Sequence, residues 1–146
     1  METRNVERWT LFTVGIPMDP HALRTLFSYI KTNIIGFNLV SIGGYWNVSF
    51  VPETMDSSVI SQLRTTLSSR GYQVNLTEVY GVQLPNVPQS FYNSVLVPFA
   101  DRGIASDLIL SSASGTGTSR LFFSIDTNPD LALEVLNQVR SETVVA

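Results

Sequence analysis

The sequence contains no cysteine, which excludes disulfide scaffolds, thiolate metal sites and thiol nucleophiles. It has one histidine, His21, and one lysine, Lys31. A lone imidazole with no second base beside a nucleophile gives no basis for acid–base or nucleophilic catalysis, so a non-enzymatic chain without cofactor or metal is expected. Charged residues make up only 14% of the 146, and the formal net charge is −3. The nine Lys and Arg residues are scattered. Nucleic-acid binding needs a basic stripe that displaces counterions from phosphates, and none is visible. No apolar run reaches the roughly 18–20 residues that span a bilayer. The first eight residues mix charge signs and lack an apolar stretch, so no secretory signal is expected and the cytoplasm is the default location.

Apolar side chains are plentiful, at 44%. A chain so rich in them and so poor in charge folds around a core rather than remaining disordered. Its most informative feature is an internal repeat. The segment from Val14 to Leu23 overlays that from Val82 to Phe91 at an offset of 68, matching Pro17 with Pro85 and Pro20 with Pro88. Each copy continues with helical spacing: Leu23, Leu26, Phe27 and Ile30 in the first, Phe91, Val95, Leu96 and Phe99 in the second. Asp19 suits an N-cap and Pro20 the first helical turn, where no N–H is required. Pro98 should shorten the second copy's helix.

A strand over Ile34–Ile42 follows in copy one, then Gly43-Gly44, whose glycines permit a tight hairpin, and a returning strand with Val48 and Phe50 on one face. Copy two repeats this through the segment ending at Leu110, a longer Ser114–Thr118 hairpin, and Leu121, Phe123 and Ile125. Second helices are predicted after Asp56 (Val59, Ile60, Leu63, Leu67) and after Asn128-Pro129-Asp130 (Leu133, Leu136, Val139). Gly71 is placed to end the former. Last strands are expected at Gln73–Leu76 and from Thr143. The order strand–helix–strand–strand–helix–strand, twice, with right-handed crossovers, predicts α+β architecture. The expectation is two tandem ferredoxin-like βαββαβ units with antiparallel sheets, residues 8–78 and 79–146, joined side by side.

These residues resemble the ACT family of regulatory amino-acid-binding domains. Val79–Pro88 looks like its first strand and loop, and Asp101–Asp107 like the entry to its second strand. Ser114–Phe123 followed by Asp130–Leu136 looks like the hairpin and second helix of aspartate-kinase regulatory domains. The resemblance implies an amino acid or similar small metabolite held between repeats, and action through a homodimer or higher homo-oligomer. The ligand residues it implies are the post-strand loops, Asp19, Pro20 and His21 with Asn86, Val87, Pro88 and Gln89, together with second-strand positions Asn38, Ser106 and Asp107. In the family a glycine follows the loop proline; this chain has His21 and Gln89 there. The alternative implied is a protein-interaction or structural module on the same fold, without a ligand.

Overall fold

In the computed structural model, residues 7–84, 97–103, 108–112, 119–124 and 130–135 are described. Strand β1 (Glu7–Pro17) alternates buried and open positions from Phe12 onward, buries Trp9 and Leu11 before that, and leads into helix α1 (Pro20–Ser28). Strands β2 (Ile34–Ile42) and β3 (Tyr45–Pro52) form a hairpin, followed by helix α2 (Ser57–Ser69) and strand β4 (Val74–Leu84). Helix α3 (Val97–Asp101), strands β5 (Leu108–Ser112) and β6 (Ser119–Ser124), and a helical segment over 130–135 complete the described elements. The fold is α+β with antiparallel strand pairing.

Contacts divide the chain within β4. Arg8–Glu78 forms one unit, and the described residues from Val79 onward belong with Glu7 to the other. In the first unit the strand order is β2-β3-β1-β4, the arrangement that two split βαβ crossovers produce. Its core lies between the sheet and the two helices. Phe12, Val14 and Ile16 of β1 face the same side as Val48 and Phe50 of β3, and Leu26, Leu63 and Leu67 close over them. Phe12 and Phe50 are direct cross-strand partners whose rings stack 5.1 Å apart. Each such buried side chain contributes about 1.5–3 kcal/mol of apolar transfer free energy.

Local chemistry sets the boundaries. Gly43 (φ 54°) and Gly44 (φ 85°) both adopt the left-handed backbone of a two-residue hairpin turn. Asp56 caps α2 by accepting bonds from the Ser58 amide (2.9 Å) and hydroxyl (2.7 Å). At the other end the Tyr72 amide donates to the Leu67 carbonyl and the Gly71 amide to the Ser68 carbonyl. This is the paired Schellman closure, with Gly71 at φ 92°. Helix α1 ends sooner than its apolar spacing predicts, with Tyr29 as C-cap, so Ile30 packs on the core from outside the helix.

In the second unit β6 lies between β4 and β5. Val82, Phe99, Leu121 and Phe123 form its core with Ala132 and Val135 of the helical segment. In that segment Ala132 and Val135 are fully buried and Leu133, half-buried, packs against the same core; Leu136 and Val139 lie outside the described residues. One sequence expectation needs correction here. The strand expected at Gln73–Leu76 begins at Val74 and continues without a break to Leu84. The polar Thr77-Glu78 pair is thus strand backbone rather than an interruption.

Candidate functional site

The loop predicted to receive a ligand begins where β1 ends. Asp19 lies in extended backbone (φ −146°, ψ 123°), and its carboxylate accepts the His21 amide at 3.1 Å. The Asp19 amide donates to the Pro17 carbonyl at 2.8 Å, and the Met18 amide to the Gly44 carbonyl at 3.2 Å. Pro20 has no N–H, and the Leu23 amide bonds the Asp19 carbonyl. The outward amides at a helix N-terminus form an anion site because they are unsatisfied. Here Asp19 supplies both the acceptor and the negative charge. A ligand carboxylate entering this turn must displace a bond already made and approach a like charge.

The structure brings Asp19, Pro20 and His21 together at the start of α1, but Asn38 does not join them within the unit. Its register sets Asn38 beside Ser49 and Thr13, whereas the turn follows Pro17, level with Tyr45 and Ile42. Four residues of strand separate the two rows, about 13 Å at the usual rise. Asn38 instead belongs to a polar row with Thr13 and Ser49 on the sheet face away from the helices. Asn86, Val87, Pro88, Gln89, Ser106 and Asp107 lie outside the described residues.

The other conspicuous surface of this unit is the outer edge of β2. Among the described residues no strand pairs beyond it. Phe37, Val40 and Ile42 are exposed there, Ile42 by 60%, as is Tyr45 across the turn on β3, by 61%, and Met18 stands beside Ser41. No charged residue occurs from Thr32 to Pro52, a run of 21. Edge strands usually carry lysine, proline or inward charge that discourages strand addition. The only irregularity on β2 is the register shift between Ile34 and Gly36.

Among the described residues, no group of His, Asp and Glu can hold a metal ion, and no helix is long and apolar enough to cross a membrane.

No protein-family profile matches the chain, and no curated protein does. Solved structures do. A protein of Bacteroides thetaiotaomicron superposes with a TM-score of 0.65 at 17% identity, over 93% of this chain and 91% of that one. Aspartokinase alpha and beta subunits give 0.65 at 16%, over 94% and 97%. The ligand-free regulatory subunit of aspartate kinase from Thermus thermophilus gives 0.60 at 12%, over 91% and 93%. The chain therefore has an ACT-type fold.

Proposed function

We propose that the protein is a regulatory module built of two tandem ferredoxin-like units, which acts by associating with a second copy along the β2 edge. The observation that carries this reading is the uncharged, exposed strand itself. Its Phe37, Val40 and Ile42 offer apolar contacts, and its unpaired backbone edge offers a ladder that another β2 can complete antiparallel across a two-fold axis. Likeness in fold to a regulatory subunit of aspartate kinase supports a regulatory rather than catalytic role. Sedimentation equilibrium tests it: the native chain should be a dimer at micromolar concentration, and Val40→Lys with Ile42→Lys a folded monomer. A native monomer at hundreds of micromolar refutes the reading.

A second reading, response to an amino acid, is favoured by the same fold likeness. In the first unit the Asp19 cap opposes it, so the ligand would engage the second unit's loop around Pro88 and Gln89. A thermal-shift series with the twenty amino acids checks this, since a ligand that binds the native state must raise Tm. Identical melting in all twenty at 10 mM rejects it.

A further inference from the structure

A cleft of about 520 Å³ opens on the helical side of the first unit, between the end of α1 and the flank of α2. Its volume falls within the roughly 300–1,000 Å³ of small-molecule sites. One wall is a single stripe of α2 at helical spacing, Val59, Gln62, Leu63, Thr66 and Arg70. The other is the segment that leaves α1, with Tyr29, Lys31 and Thr32.

The charge of this lining is one-sided. Lys31 and Arg70 both line the cleft, and among the described residues no acidic side chain does. Neither cation has an ion-pair partner among the described residues. Arg70 is held in place because its guanidinium lies 4.7 Å from the centre of the Tyr29 ring. That ring is in turn buttressed edge-on by Tyr72 at 6.3 Å. A stacked guanidinium keeps its N–H edge available to a planar or tetrahedral anion. The Thr32 and Thr66 hydroxyls and the Gln62 amide add neutral donors. Val59 and the buried Leu63 supply an apolar floor.

We infer that this cleft binds a small organic phosphate ester, its phosphate held between Lys31 and Arg70 and its apolar part against Val59 and Leu63. A phosphate monoester carries about −1.5 to −2 charges at neutral pH, which the two cations balance. A carboxylate would leave one of them unmatched. The site lies on α1 and α2, apart from both the β1–α1 turn and the β2 edge, so it stands independently of the association proposed above.

The test is titration of the full chain with phenyl phosphate and with inorganic phosphate at constant ionic strength, followed by amide NMR shifts and melting temperature. Saturable shifts are expected at residues 28–32 and 59–70. Phenyl phosphate should bind several-fold more tightly than inorganic phosphate because only it reaches the apolar floor. Lys31→Gln with Arg70→Gln should weaken binding at least about tenfold while the spectrum stays folded, since both side chains are exposed. Arg70→Lys should recover part of the loss. Three outcomes overturn the inference. One is a linear rise in Tm that is equal in native and double-variant protein, which is the general effect of an excluded anion. Another is a set of shifts confined to residues 18–22. The third is a double variant that melts lower but binds unchanged, which makes the cations partners of the helix C-terminal dipoles alone.

Discussion

Strands β2 and β6 are built from similar residues and end in opposite surroundings. In β6 Leu121, Phe122, Phe123 and Ser124 are all at most 8% exposed, so neighbours cover both faces of the strand. In β2 the equally apolar Phe37, Val40 and Ile42 stand open to solvent, although Phe37 meets the Phe27 ring at 5.6 Å on the helical side. The difference is position: among the described residues β6 is flanked by two strands, and β2 by one. Hydrophobicity records what a strand gains by being covered, not whether its own chain does the covering. Where an apolar edge remains open and unguarded by charge, the missing cover is sought in another molecule.

The largest effect that would sharpen this contrast lies in β6. Phe123→Ala removes a fully buried ring from the second unit's core and should cost about 3–5 kcal/mol in denaturant unfolding. A cost below about 1 kcal/mol would mean that β6 is less well covered than described.

A smaller effect concerns the helix that covers the first unit's sheet. Its Asp56 cap has a carboxyl held below the ordinary carboxylate range, first by the Ser58 hydroxyl and then by the Ser58 amide. A lowered folded-state pKa stabilises the protein above the unfolded value, near 3.9, and that stability disappears as pH falls through the folded value. Asp56→Ala should therefore lower Tm at pH 7, and the gap from the native protein should close towards pH 3. A gap that is constant with pH would assign the loss to something other than the charged cap.

The smallest effect on stability is expected on the open edge. Val40→Lys should shift unfolding of the monomer by less than about 0.5 kcal/mol, while abolishing association in sedimentation. If that substitution instead destabilises the isolated chain by several kcal/mol, β2 is already covered and the contrast with β6 fails.

Features controlled by neighbouring residues are legible in the sequence alone. The Gly43-Gly44 turn, the Asp19 cap, the start of α2 after Asp56 and the Gly71 stop each depend on two or three consecutive residues, and the sequence contains those residues. The α+β architecture with antiparallel strands followed because local signals in a fixed order leave few topologies, and the ACT likeness came from resemblance of short motifs. Features decided at a distance were not readable. Phe122 alternates out of phase with Leu121 and Phe123, and only the placement of other elements buries it. How deeply each residue of the 130–135 segment is buried depends on what it meets, so Ala132 and Val135 are fully covered where Leu133 is only half-covered. In the candidate site, Asp19 was legible as a cap, but its occupation of the amide meant for a ligand required the geometry. Lys31 and Arg70 lie 39 positions apart with no motif between them, and only α1 packing beside α2 brings them to one cleft.

The glycine pair that turns β2 into β3 also bears on how the protein is made. A two-residue hairpin of this kind closes on the microsecond scale, long before contacts between distant segments can form. The unguarded edge of β2 then exists while the rest of the first unit is still assembling, and chains that meet at this stage pair before they are complete. Refolding yield should accordingly fall as protein concentration rises. The surface proposed to assemble finished molecules would be the one most exposed to error during their birth.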